Sequence, residues 1–578
     1  MTGSRSITGI SLPDDLRDAV DSAMRRALAE RWVERVWDRD ATLWSSDASV
    51  QATILNRLGW LRAPEQFLED VDELRAFAEA AREQGFARAV LCGMGGSSLA
   101  PDVLARVCGV ADGAGIPVHV LDSTDPAAVL GIRETCDPET TLYIVSTKSG
   151  TTTETLSFLA SFWDQEMRGR GVTWPSLHFA AVTDPGKSME AIPHVNDFRE
   201  VFLNPADIGG RYSALTYVGC VPGSLLGLDL GRLLEHGVRM SQRCREEHEE
   251  NPGLALGVTL GALAKAGRDK LTFLADPAIA PFGAWAEQLI AESTGKHGVG
   301  IVPIDGEPAG AINSYGHDRV FVRLSLAGNA AWREETGPLA AELVAAGHPV
   351  IEIEVDGELG LGAEFFRWEF ATAVAGAVLG IDPFDEPNVT ESKDNTRRVL
   401  AAYHEHGRLP ALEPLASDGP LTLVGDEPLR AGTRSGNVVG ELRRHLERLE
   451  PNGYAAIQAY MAPTAERTEA LQAIRTLLRD RTRRATTLGY GPRFLHSTGQ
   501  LHKGGAPIGW FLQLVVAHPR DLPIPGTGHS FGTLIDAQAI GDFQALEAHH
   551  LPVLRVDCSA DPDAGLAALR TALEAALS

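Results

Sequence analysis

A chain of 578 residues is too long for one hydrophobic core, so roughly two to four domains are expected. Its apolar (44%) and charged (22%) fractions are ordinary for a globular protein. A formal net charge of −25 argues against a nucleic-acid partner, and any small anionic ligand must then be met by a local positive site.

Residues 1–85 read as a helical N-terminal segment. Ser11-Leu12-Pro13 make a helix start, Asp14 and Asp15 suit its first turn, and Leu16, Val20, Met24 and Leu28 recur every four residues. Met1–Arg5 lead to no apolar signal core, and no apolar run approaches the roughly 20 residues of a membrane span, so a cytoplasmic protein is expected. Over 86–230, strand-like runs at 87–92, 118–121, 142–145 and 178–182 alternate with helical spacing, the pattern of a parallel sheet covered on both faces. The alternation returns over 231–406, with strands at 271–274, 320–324 and 349–353. Residues 407–428, rich in Pro, Gly and Asp, read as a linker. A further α/β unit is expected over 429–578, with strands near 455–461, 510–516 and 552–556, a charged helix over 464–484 and a terminal helix from 562.

The most informative stretch is Ser146-Thr-Lys-Ser-Gly-Thr-Thr-Thr-Glu-Thr155. It follows the β-branched run ending at Val145 and precedes helical spacing at Leu156, Leu159, Ala160 and Trp163. A strand-to-helix turn aims backbone N–H groups and the helix dipole at one spot, which suits an anion. A single capped helix needs one hydroxyl, whereas several stand here in succession beside Lys148, and Gly150 permits close backbone approach. A second glycine-rich turn, Gly93-Met-Gly-Gly-Ser-Ser98, follows the strand ending at Cys92. A dinucleotide fingerprint would require glycine at Ser98, so one phosphate shared by two turns at the carboxyl ends of strands is the better reading. The six cysteines, Cys92, Cys108, Cys136, Cys220, Cys244 and Cys558, form no CxxC pair, and His236, His248, His404, His406, His549 and His550 form no HExxH set; neither disulfides, a metal nor a cofactor is expected.

These turns resemble those of sugar-isomerase (SIS) domains. Asp207-Ile-Gly-Gly-Arg-Tyr-Ser213, Glu287-Gln-Leu-Ile-Ala-Glu-Ser-Thr-Gly-Lys296 and Gly380-Ile-Asp-Pro-Phe-Asp-Glu-Pro-Asn-Val-Thr-Glu-Ser-Lys393 are similar to signatures of the glucose-6-phosphate isomerase family. The likeness covers about residues 50 to 400. The tail, Leu495-His-Ser-Thr-Gly-Gln-Leu-His-Lys-Gly-Gly505, resembles the isomerase half of fused transaldolase–isomerase proteins. The resemblance implies two SIS-type doubly wound parallel-sheet domains behind a helical N-terminal segment, with an extra C-terminal α/β unit. It implies interconversion of glucose 6-phosphate and fructose 6-phosphate through a cis-enediol without a metal. Alternatives are an isomerase of other specificity, such as mannose 6-phosphate, and a non-catalytic SIS sugar-phosphate-binding regulator.

By the same resemblance, Gly96, Ser97, Thr147, Ser149 and Thr152, with Lys148 beside them, hold the phosphate and Gln288 contacts the sugar. Glu292 is the base, Arg211 the cation near the enediolate and Lys393 a ring-opening lysine. A homodimer and association with a transaldolase are further implications. Two departures stand out. Glu386, Asn388 and Thr390 replace the family's Gln, Gly and Glu. The ring-opening histidine, which the family supplies between base and lysine from a neighbouring subunit, has no convincing match among His297, His317 and His348. His502, helped by His496 or Lys503, is the expected substitute. Trp60 and Trp163 are expected to be core residues.

Overall fold

The computed structural model describes residues 7–168 and 175–578; Met1–Arg5 lie outside them. Three sheets organise the chain. The first is wholly parallel, in the order β3 (Val118–Leu121), β2 (Arg88–Cys92), β4 (Thr141–Ser146), β5 (Phe179–Thr183), β6 (Glu200–Leu203). β2 runs one way to β3 and β4 starts the other way, so the crevice opens between β2 and β4. The two turns singled out above leave those two strands.

The second sheet has the order β1 (Ile7–Ser11), β10 (Val350–Val355), β9 (Arg319–Leu326), β7 (Lys270–Ala275), β8 (Val302–Ile304), with β1 antiparallel and the rest parallel. β1 corrects the helical reading of the N-terminus: Ile10 lies opposite Ile351, a partner far along the chain that local pattern cannot reveal. The helices of residues 14–83 follow, and Trp32, Trp60 and Phe67 enter the core that runs between the first two sheets. In its middle the Pro252–Lys265 and Leu361–Leu379 helices approach closely: a Cβ on Gly257 would meet the Ala371 carbonyl oxygen at 2.3 Å.

The third sheet has the order β11 (Ala416–Asp418), β12 (Leu421–Gly425), β16 (Val553–Asp557), β15 (Gly509–Val515), β13 (Tyr454–Tyr460), β14 (Ala485–Tyr490). The last four strands are parallel; β12 is antiparallel to both its neighbours. The expected linker over 407–428 is therefore corrected. It holds β11 and β12, because the short apolar run Leu421-Thr-Leu-Val424 is sheltered by β16 despite its Pro- and Gly-rich flanks.

This third unit wedges against both others. Ile524, Phe531 and Leu534 join the far face of the first sheet, where the Phe158 and Phe531 rings stack 6.0 Å apart. Val424, Tyr454 and Leu501 pack with Ala291, Val302 and Ile304 of the second. The closest seam is at Gly295, where an added Cβ would lie 2.3 Å from the Leu501 Cα. Gly295→Ala is expected to destabilise the fold by about 1–3 kcal/mol through overpacking, read as a lowered melting temperature in calorimetry.

Candidate active site

The turn after β4 is shaped by one glycine. Gly150 has φ +67°, and a Cβ there would sit 1.8 Å from the Ser188 carbonyl oxygen. No side-chain hydrogen bond caps the Thr153–Met167 helix that follows, whose N-cap residue Thr152 lines the cleft. Ser149 and Thr152 line the cleft, whereas Thr147 is buried behind them with its hydroxyl 3.0 Å from that of Thr152. Lys148 ion-pairs with Asp184 and donates to the Ala206 carbonyl (3.1 Å). Burial raises the Asp184 carboxyl pKa against the pull of that lysine. Arg57, whose guanidinium donates to the Asn56 carbonyl (2.9 Å), brings another cation to the cleft wall.

The turn after β2 meets the Gly209-Gly210-Arg211 segment backbone to backbone. A Cβ on Gly96 would stand 2.3 Å from the Gly210 carbonyl carbon. That contact sets Ser97 on the cleft wall and turns Ser98 inward to Asp122 (3.1 Å). Arg211 is 3% exposed and its donors are all engaged: Nε to the Ser293 hydroxyl (2.7 Å), Nη1 to Glu386 (2.9 Å), and Nη2 to the carbonyls of Pro383 (2.9 Å) and Asp385 (3.0 Å). Glu292 lies 3.4 Å from Nη1. It stands on the Phe282–Thr294 helix one turn after Gln288, whose amide donates to its carboxylate (3.1 Å).

Burial raises the Glu292 carboxyl pKa. Arg211 opposes the rise and the Glu386 charge adds to it. Glu386 is only half-buried, and Arg211 holds its carboxyl below the ordinary value against the desolvation it suffers. Burial also works against the Arg211 charge, but the two carboxylates hold its pKa above the ordinary one. Glu386 thus faces the cleft as the counter-ion of Arg211.

The histidine in the cleft is His496. It ends the short turn Arg493–His496, and takes the cleft position expected of His502. Its carbonyl accepts from Gln288 Nε2 (2.6 Å), and its Nε2 lies 3.0 Å from Glu154, in the first turn of the helix behind the phosphate turn. Glu154 also accepts from Gln538 Nε2 (2.6 Å), and Gln538 Oε1 accepts from Thr124 (2.8 Å). Burial would raise the Glu154 pKa, but the neighbouring imidazole keeps it low.

The structure does not bring His502 to this cleft. The Gly499–Gly504 helix turns it into the third unit's core, its ring 5.0 Å from that of Phe511 and its Nδ1 3.4 Å from Gln458. Burial drives its pKa well down, the state of a neutral core histidine. Lys503 faces Asp542 at 2.6 Å, both fully buried. Lys393, exposed on the Pro387–His406 helix, lines the cleft with Thr390 and Val389. The cleft encloses about 460 Å³ and gathers Gly96, Ser97, Lys148, Ser149, Thr152, Arg211, Gln288, Glu292 and Lys393 of the expected residues. Sequence reasoning missed Arg57 and Gln538, which sit in no motif, and gave no role to Glu154 although it lies within the Ser146–Thr155 stretch. Among the described residues no three His, Cys, Asp or Glu side chains assemble to hold a metal ion.

A hydroxyl-rich strand-to-helix turn thus shares one cleft with a carboxylate and a guanidinium, beside two doubly wound sheets. The family model described as phosphoglucose isomerase matches residues 66–307. The chain is 28% identical to glucose-6-phosphate isomerase of Rubrobacter xylanophilus over 394 residues, 60% of this chain and 90% of that one. It is 32% identical to that of Thermus thermophilus over 203 residues, 35% of this chain and 47% of that one. In fold it resembles a hypothetical protein from Thermus thermophilus (TM-score 0.55, 23% identity, 68% of this chain and 100% of that one). It also resembles a glucose-6-phosphate isomerase from Chlamydia trachomatis (TM-score 0.53, 18% identity, 68% and 87%). Over these spans the chain is similar to the glucose-6-phosphate isomerase family. No described helix is long and apolar enough to cross a membrane.

The Glu386 charge raises the pKa of Glu292, so removing it has a signed consequence. Glu386→Gln is expected to move the acid limb of the kcat/KM profile to lower pH, because the base then stays ionised further into acid. An unmoved or alkaline-shifted limb in rate profiles of the variant would contradict this coupling.

Proposed function

We propose that this chain interconverts glucose 6-phosphate and fructose 6-phosphate through a cis-enediol intermediate, using side chains alone. The observation that carries the reading is the pairing of a buried carboxylate of raised pKa, Glu292, with the fixed guanidinium of Arg211 3.4 Å away, across from the hydroxyl-rich turn. Ser97, Ser149, Thr152 and the uncapped helix start hold the phosphate, with Lys148, Arg57 and Lys393 supplying local positive charge against the overall −25. The phosphate does not react; its binding holds the sugar carbons in place.

Ring opening needs a proton moved between O5 and O1. His496 suits this task, since the Glu154 carboxylate 3.0 Å from its Nε2 orients the ring. Lys393 lines the same cleft and is assigned to the same step. Glu292 then takes the proton from one of C2 and C1 and returns it to the other. Charge that builds on the enediol oxygens is stabilised by Arg211, which needs no reorganisation because Ser293, Pro383 and Asp385 already hold it. Gln288 Oε1 is buried without a hydrogen-bond partner among the described residues, an acceptor suited to a sugar hydroxyl. Six unbridged cysteines support a reducing compartment such as the cytoplasm. The tail's likeness to fused transaldolase–isomerase proteins supports association with a transaldolase.

Glu292→Gln is expected to lower turnover by about 10²–10⁴-fold while fructose 6-phosphate still raises the melting temperature. Full turnover in a coupled assay would reject Glu292 as the base. His496→Ala is expected to lose on the order of 10²-fold in turnover from ring-closed substrate. His502→Ala is expected to lower the melting temperature and leave turnover per folded chain unchanged. The reverse ranking would restore His502 to the site. Activity on glucose and fructose 6-phosphates is expected to survive dialysis against EDTA, and loss reversed by added metal would overturn the metal-free mechanism.

A further inference from the structure

We propose that each chain holds one complete catalytic site, with the C-terminal unit supplying the cleft histidine in cis and no second copy needed to finish it. The inference rests on the isomerase reading above and concerns whose histidine serves each cleft. The cleft walls built by the two-sheet body carry Arg57, Lys148, Arg211, Glu292 and Lys393 but contribute no histidine among the described residues. His496 fills that place, and it comes from the third unit.

The turn carrying His496 is fastened to its own chain on several sides. Its carbonyl accepts from Gln288 and its ring meets Glu154. Arg493, at the other end of the turn, reaches Asp102 and Asp122 at 3.2 Å each. Gly95, with φ +56°, leaves only enough room for the His496 backbone: an added Cβ would stand 2.7 Å from its carbonyl oxygen. Just beyond the turn, Gln500 accepts from the Asn388 N–H (2.8 Å) and donates to the Gly295 carbonyl (3.0 Å). These bonds tie the tail to the two segments that carry Glu292 and Lys393.

The covalent connection favours the same arrangement. Lys393 lies on the Pro387–His406 helix, whose second half is already part of the third unit's packing. Val399 and Leu400 cluster with Ala537 and Ile540 of the Phe531–Ala548 helix, and Leu409 and Leu412 extend that cluster past the helix end. The two helices touch closely enough that a Cβ on Gly541 would stand 3.0 Å from the Thr396 nitrogen. Exchanging the C-terminal unit between copies would require a hinge, and the stretch where one would lie is itself packed.

Complementation tests this directly. Glu292→Gln and His496→Ala full-length chains, each checked by circular dichroism for native fold, are assayed alone and after co-expression with different affinity tags. If sites are complete in cis, every chain carries one lesion, and the co-expressed sample shows only the mean of the two low activities. If the histidine crosses between copies, one site of each mixed dimer regains both groups, and a random mixture recovers about a quarter of wild-type turnover. Such recovery would overturn cis completion while leaving the roles of Glu292 and His496 intact. Wild-type activity in His496→Ala alone would overturn the histidine's role and the inference with it. Specific activity of the wild-type chain is also expected to stay constant on dilution from micromolar to nanomolar, and a fall on dilution would count against completion within one chain.

Discussion

The burial of one charge organises this molecule. Arg211 is 3% exposed, and a guanidinium removed from water in that way is tolerable only if every donor finds a partner and the charge finds a counter-charge. Its partners come from two stretches far apart in sequence, Ser293 and Glu292 on one helix and Pro383, Asp385 and Glu386 about ninety residues later, while its own Gly209-Gly210 turn is pressed against Gly96. Satisfying the arginine therefore ties the glycine-bearing turn of the first sheet to Glu292 beside the second. The site is a by-product of neutralising a cation that the fold has enclosed.

Two carboxylates share that cation, and their environments push them apart. Glu386 makes the shorter contact and has its carboxyl pKa held down, whereas Glu292 sits farther away with its own raised. Groups coupled this tightly titrate as a pair, with proton affinity shifted towards Glu292 and away from Glu386. The exchange of glutamine for Glu386 thus reads as tuning. A carboxylate that would repel a phosphate is spent on Arg211, and its residual effect falls on the proton affinity of the base.

Local pattern revealed the features whose causes are local. The turn Ser146–Thr155 and the glycine turn at Gly93–Ser98 announce themselves because strand, breaker and helix signals adjoin, and both lie at the switch point between β2 and β4. The segments bearing Arg211 and Glu292 were readable as motifs. What escaped was non-local. β1 exists because Val350–Val355 offers an edge, and β12 because β16 shelters it. His496 and His502 share one glycine-rich stretch, and only packing decides which faces the cleft: the Arg493–His496 turn is pulled outward by Asp102, Asp122 and Glu154, while the next helix turns inward onto Phe511. Arg57 and Gln538 belong to no motif, and their positions follow from tertiary contacts alone.

Cis supply of the histidine changes what limits the site. A catalytic group delivered by a second copy is present only as often as the copies associate, so its availability depends on concentration. A group tethered in the same chain acts at a high effective concentration, and the tether's own order decides how much of that advantage is kept. Here little freedom remains. Arg493 and Gln500 bracket His496 within a few residues on either side, and Glu154 meets its ring from the helix that follows the hydroxyl-rich turn. The buried Lys503–Asp542 pair fixes the following helix to the one bearing Gln538, which in turn donates to Glu154. The third unit thereby acts on both members of the Glu154–His496 pair, holding the histidine by its backbone and the carboxylate by its second hydrogen bond.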